Sequence, residues 1–265
     1  MTLQLSHGNR SYGCIANTPD SRDKVLRLAG TITLPPNGDL IASLGPVRDQ
    51  GQEGSCVGHG WAGHADWLFK QYGVHHLTLN LSPAFIYYLA RQIEGTLPDD
   101  AGAQVRSGAK VFNQFGVCPE DADLYGPQTM NAAPSDAALS TAMNYKGGAY
   151  HTLPTLEDMK SCLASSYCFV DGIQVFESFE SDAVASSGEV PLPADSEPSI
   201  GGHCTLTFGY DDEHLNIDGS KGALHKRNSW GSAWGQSGDF WLPYAYVEKY
   251  LTNATILHLG PAWGA

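Results

Sequence analysis

Gly45-Pro46-Val47-Arg48-Asp49-Gln50-Gly51-Gln52-Glu53-Gly54-Ser55-Cys56 is the stretch on which the reading of this chain turns. It places a glutamine six residues before a cysteine, and the cysteine opens a run, Cys56 to about Tyr72, with helical spacing of Trp61, Ala65, Leu68 and Phe69. A thiol at a helix N-terminus feels the positive end of the helix dipole, which favours the thiolate. A glutamine on a glycine-rich turn beside it can aim its amide, together with the Cys56 backbone N–H, at a developing oxyanion. Downstream, Gly202-His203 offers a base, and Asn228-Ser229-Trp230-Gly231 offers an amide to orient that base and an indole to shield it. These are the parts that acyl transfer through a thioester requires.

On these residues the chain resembles the papain-like cysteine peptidases. In that family His and Asn follow the Cys by roughly 130–150 residues. Here His203 comes 147 residues after Cys56 and Asn228 comes 172 residues after it. An insertion at Asp211-Asp212-Glu213-His214 through Gly219-Ser220-Lys221-Gly222, read as a long polar turn, accounts for the late Asn. The resemblance runs from about Leu34 to about Leu259 and takes in Ser82-Pro83-Ala84-Phe85, Asp99-Asp100-Ala101-Gly102-Ala103 and Trp234-Gly235-Gln236-Ser237-Gly238. Its pattern is prokaryotic in type rather than lysosomal. It implies an α+β fold of two lobes, helical over about 50–145 and β-barrel-like over about 146–260, with the active-site cleft between them.

The resemblance also assigns roles: Cys56 as nucleophile, His203 as acid/base, Asn228 as orienter and Gln50 as oxyanion donor. It places Gly102 or Ala103 where relatives pair with substrate backbone in short antiparallel fashion. Gly202, Cys204 and Trp230 join them as substrate-binding candidates, with Cys204 implying a small-to-medium apolar pocket. Two departures stand out. Secreted relatives carry a Cys where this chain has Glu53, and many relatives carry an aromatic residue where it has Val57.

At 265 residues the chain can bury a sizeable core, as one domain or two subdomains sharing a cleft. Twenty-eight acidic against 15 basic residues give a formal charge of −13, so the long-range field repels phosphate backbones and nucleic acid is not an expected partner. No apolar run approaches the roughly 18 residues of a spanning helix, so no membrane partner is expected. Residues 1–9 lack a signal-peptide core. A cytoplasmic protein is the expectation, with secretion left open. Six cysteines are too few for a disulfide scaffold; Cys14, Cys118, Cys162, Cys168 and Cys204 are expected as buried or free thiols, with a Cys162–Cys168 pair left open.

Residues 1–33 form a polar extension without amphipathic period, and 34–265 form the peptidase-like domain. Tyr12, Ile15, Leu26 and Leu28 are apolar anchors by which the extension could lie against the domain, either limiting access to the cleft or serving as a packing strap elsewhere. Helices are expected at Pro83–Gln92, Gln104–Phe115 and Leu156–Leu163, and Ser55 as the cap of the first. Strands are expected at 168–175, His203–Tyr210, Leu224–Ser229, Gly238–Leu242 and Thr255–Leu259. Glu177–Ser199 reads as a loop beside the cleft. His59 and His64 stand five apart and His75-His76 have no partners at ligand spacing, so no metal or other cofactor is expected. The function so implied is a thiol endopeptidase acting on peptide or protein substrates. A transferase using the same thioester and a catalytically silent peptide-binding relative are the alternatives.

Overall fold

The computed structural model describes residues 10–27, 33–72, 80–126 and 130–259. Helices α1 (Cys56–Tyr72), α2 (Pro83–Glu94), α3 (Val105–Gln114) and α4 (Asp136–Ala142) build one lobe. The other holds a sheet of strands β2 (Asn37–Asp39), β4 (Tyr150–Thr152), β5 (Phe169–Phe176), β6 (Ser199–Leu215), β7 (Lys221–Arg227), β8 (Asp239–Pro243) and β9 (Leu251–Leu257). Its order is β4-β9-β5-β6-β7-β8, antiparallel throughout, with β2 added to β6. Helices α5 (Leu156–Ala164), α6 (Asp182–Ser187) and α7 (Tyr244–Tyr250) flank that sheet. A separate two-residue pair joins β1 (Cys14–Ile15) to β3 (Ala103–Gln104) in parallel. The expected α+β architecture is present.

Helix α1 runs between the lobes, and that position explains a departure from expectation. Of Cys56 through Phe69, only Gly63 escapes full burial, so the helix has no solvent face and His59, His64 and Asp66 are buried with the apolar residues. Ser55 does not cap it. Its hydroxyl meets Tyr125 Oη at 2.7 Å. By contrast, Thr155 caps α5, with Asp158 completing a capping box.

Two further departures lie in the β lobe. The polar stretch 211–222 is part of a hairpin, in which Leu215 pairs with Lys221 and a short turn closes the end. Register irregularities between Asp211 and Leu215 break the alternation that would mark it as strand. The supposed loop 177–199 contains a 3-10 turn, Glu177–Glu180, and the six-residue helix α6, capped by Ser181 Oγ. Both are too short to show a period. Phe179 pins this segment, packing edge-on against Trp230 and Phe240 and flat against Trp234.

Asp171, wholly buried on β5, accepts from Thr205 Oγ1 (2.7 Å) and Thr207 Oγ1 (2.9 Å) on β6 and from the buried Lys226 ammonium on β7. A buried charge must be paired and hydrogen-bonded, and this one can be satisfied only with three strands in a single register. The register holds Ile173 opposite His203 and Gly172 opposite Cys204. Among the described residues, no helix is long and apolar enough to cross a membrane, and no group of His, Cys, Asp or Glu is arranged to hold a metal.

Burial pushes His59 down to about 3 and both His64 and His203 down to about 4. The unfolded chain therefore takes up protons below pH ~6.5 that the folded chain refuses, and stability falls as pH drops toward 4. Asp66 and Asp123, each raised to about 6 by burial, and Glu53, also raised by burial, oppose this, because the fold then binds protons the unfolded chain lacks. The three histidines are wholly buried and shifted further, so they outweigh these carboxyls. The urea midpoint is expected to fall between pH 6.5 and 4.5, by on the order of 1 kcal/mol of stability per pH unit. A flat profile would contradict burial of these rings as neutral groups.

Candidate active site

The site begins where the loop 45–55 docks on the end of β7. Arg227, held by Asp239 on β8 at 2.8 and 3.0 Å, also donates to the Gly45 carbonyl (2.6 Å). Gln50 N–H donates to Ser229 O (2.9 Å), and Asp49 bridges Trp230. The Ser229 hydroxyl donates to Gln50 Oε1 at 2.6 Å, which fixes the amide with Nε2 turned the other way. Sequence reasoning gave Ser229 no such role.

His203 Nε2 lies 2.8 Å from Asn228 Oδ1. The Ser229 N–H donates to the same oxygen at 2.8 Å, which identifies that atom as the acceptor and makes Nε2 the protonated ring nitrogen. Nδ1 is left with its lone pair, buried and with no hydrogen-bond partner among the described residues. Trp230 stacks on the imidazole with centroids 4.8 Å apart. Cys56, at the first position of α1, is wholly buried. Its sulfur feels the backbone N–H groups of Cys204, Gly13 and Val57, so the residue after His203 and the residue before Cys14 both border the thiol.

Residues 10–15 lie across this site. Arg10 sits 4.4 Å over the Trp230 ring and pairs with Glu180 at 3.3 Å. Tyr12 meets His203 and Trp230 edge-on, each at 6.2 Å. Gln50 Nε2 donates to Ser11 O (3.2 Å) as well as to Glu53 O (2.8 Å). Ala103 N–H donates to Gly13 O at 2.8 Å, and Cys14 pairs with Ala103 in register. A Cβ on Gly13 would fall 1.7 Å from Gly54 O, and one on Gly102, whose φ is +74°, would fall 2.3 Å from Gly13 O. Only bare backbone fits at this crossing. Tyr87 holds its floor, donating to Asp100 and accepting from Gly102 N–H (3.0 Å), while Asp100 accepts from Gly54 N–H (2.9 Å).

No family model matches the chain. It is 31% identical to xylellain, a cysteine protease from Xylella fastidiosa, over 97% of this chain and 99% of that one, and the two structures superpose with a TM-score of 0.86. It is also 33% identical to an uncharacterised peptidase C1-like protein of Acanthamoeba polyphaga mimivirus, over 92% of this chain and 85% of that protein. The chain belongs to the papain-like cysteine peptidases. Procathepsin B from Trypanosoma congolense, 16% identical over 96% of this chain and 88% of that one, shares the papain-like fold at a TM-score of 0.72.

Within this papain-like frame, Gln50, Cys56, Gly102, Ala103, Gly202, His203, Cys204, Asn228 and Trp230 all line one region. Next to Gly102, where relatives are expected to pair substrate, Ala103 and Gln104 pair in parallel with Cys14 and Ile15. The expected stabilised thiolate is likewise absent. Burial, then the Cys14 thiol, push Cys56 up to about 12, and the three N–H groups only partly offset this. With His203 lowered by the same desolvation, thiol and imidazole are both neutral near pH 7. Sequence reasoning missed Gly13 and Cys14 as occupants of the site, although Tyr12 and Ile15 were named as anchors. Leu26 is buried and hydrogen-bonds Thr152, whereas Leu28 and His75-His76 lie outside the described residues. All six cysteines are free thiols, so Cys162 and Cys168 are unpaired with each other.

Proposed function

We propose that this chain is a thiol-dependent endopeptidase held latent by its own residues 10–15. Cys56 is the nucleophile, His203 the proton carrier, Asn228 the orienting group and Gln50 the oxyanion donor. The observation that carries this reading is the Asn228 Oδ1 bond to His203 Nε2, which leaves the unpartnered Nδ1 as the one ring nitrogen free to take the thiol proton. Once the segment leaves and water enters, the burial that opposes the charged forms relaxes, and the helix dipole and imidazolium can hold the thiolate. The thiolate adds to a peptide carbonyl at Gly102–Ala103, and the oxyanion meets Gln50 Nε2 in the position now taken by Ser11 O. Imidazolium protonates the leaving amine, and water then releases the acyl group.

In this reading Asn228 orients and His203 carries the proton. His203→Ala is expected to lower kcat by roughly 10⁴-fold and to remove the bell-shaped pH profile, while Asn228→Ala lowers kcat by about 10–100-fold and keeps the bell. A larger loss for Asn228→Ala would contradict the assignment. Mass spectrometry of products formed with an added amine separates hydrolysis from acyl transfer, since transfer would give an amide product and hydrolysis a free carboxylate.

A further inference from the structure

Three thiols meet under residues 10–15. Cys204 is directly opposite Gly172 across the β5–β6 ladder, so their Cβ positions share a face at about 4.5–5.5 Å. Cys14 Sγ occupies the space over Gly172, only 2.8 Å from where a Cβ on that residue would sit. Gly202, two residues before Cys204 and on the same face, lies against Cys14 as well, a Cβ there falling 2.1 Å from Cys14 O and 3.7 Å from Cys14 Cβ. Cys204 Sγ, 3.1 Å from the place of a Cβ on Gly60, packs on α1 one turn beyond Cys56. Two side-chain-free positions in β5 and β6 thus bring the Cys14 sulfur down to the level of the Cys204 side chain. Cys14 is half-buried, whereas Cys56 and Cys204 are fully buried.

From this packing we infer that Cys14 and Cys204 are a disulfide-forming pair, which under oxidising conditions bolts residues 10–15 into the cleft. Burial, and behind it the Cys14 thiol, raise Cys204 well above the usual thiol range, so the more accessible Cys14 is the thiol that reacts first. The oxidant is a low-molecular-weight disulfide. Cys14 thiolate attacks it, forming a mixed disulfide and expelling one thiolate. Cys204 thiolate then attacks the Cys14 sulfur and expels the second. The two thiol protons pass to the two leaving thiolates, and two electrons pass from the protein to the reagent. Excess monothiol reverses both steps.

The test uses the full chain carrying Cys56→Ala, so that neither peptidase activity nor the Cys56 thiol takes part and the outcome is independent of the proposed reaction. The protein is equilibrated with oxidised glutathione, digested under non-reducing conditions and mapped by mass, and amide hydrogen exchange is followed over residues 10–15. The expected result is a Cys14–Cys204 linked peptide, together with exchange slowed at least about tenfold relative to the reduced protein. Reductant should reverse both, and Cys14→Ser should abolish both. Recovery of Cys14 as a free thiol or only as its glutathione adduct would overturn the pairing. A Cys14–Cys204 linkage without slower exchange would overturn its role as a bolt.

Discussion

Cys56→Ala is expected to lower kcat on an unfolded protein substrate by at least roughly 10⁴-fold while leaving the melting temperature close to that of the parent. The change removes one sulfur from the first residue of α1, and with it only the weak contacts of three backbone N–H groups. Retention of more than a trace of activity would mean another group is the nucleophile. Labelling is more informative when read beside it. Sequence alone expects a thiol-directed epoxide to modify Cys56 far faster than the other five cysteines. With residues 10–15 in place, Cys56 is covered and lifted to about 12, so the half-buried Cys14 should label first. The Cys56 advantage should emerge only when the cover is displaced.

Gly13→Val supplies that displacement and has the second large expected effect. A Cβ at Gly13 would overlap the Gly54 carbonyl, which belongs to the main chain and cannot swing aside. The segment 10–15 is then expelled, while its downstream anchorage remains: Arg106 to Asp23 (2.6 Å) and to Thr18 O (2.7 Å), and the Leu26–Thr152 backbone bond (3.0 Å). The expected result is a rise in kcat/KM for a short peptide of about 10–100-fold, with little loss of melting temperature. Deleting residues 1–27 should also raise kcat/KM. It should also lower the melting temperature, since the buried Arg106 guanidinium would lose Asp23 and Thr18 and keep Gln104, at a cost of about 1–3 kcal/mol. On the latency proposal the extension is both of the things considered for it, a cover at residues 10–15 and a packing strap at 17–26. Unchanged kcat/KM in Gly13→Val would defeat the latency proposal.

What the sequence made legible is what short spacing can encode. Gln50 to Cys56 and Asn228 to Trp230 are compact patterns, because their side chains must meet within one turn of chain. The helices α1, α2, α3 and α5 were each expected to within two residues at either end. What escaped is long-range or short-lived in sequence. The cover depends on Gly13 meeting Gly54 and Gly102, and nothing local to Tyr12-Gly13-Cys14 signals those encounters. Helix α6 spans fewer than two full turns. The ionisation of Cys56 and His203 was expected in the direction an open, wetted cleft would give. Burial under the cover reverses both, and burial by a distant segment is not a property of either residue's neighbours in sequence.

Arg106 grips Asp23 and Thr18, and only a few residues separate Thr18 from Cys14. On the latency proposal the cover is an inhibitor on a short leash, and its effective concentration at the cleft, on the order of millimolar or above for such linkers, is a property of the chain and not of the solution. Dilution cannot release it, and the first copy made is as quiet as the thousandth. An activation in which each molecule sheds its own cover would proceed with the same half-time at every protein concentration. A half-time that shortens as protein is added would instead mark open molecules cutting the covers of closed ones.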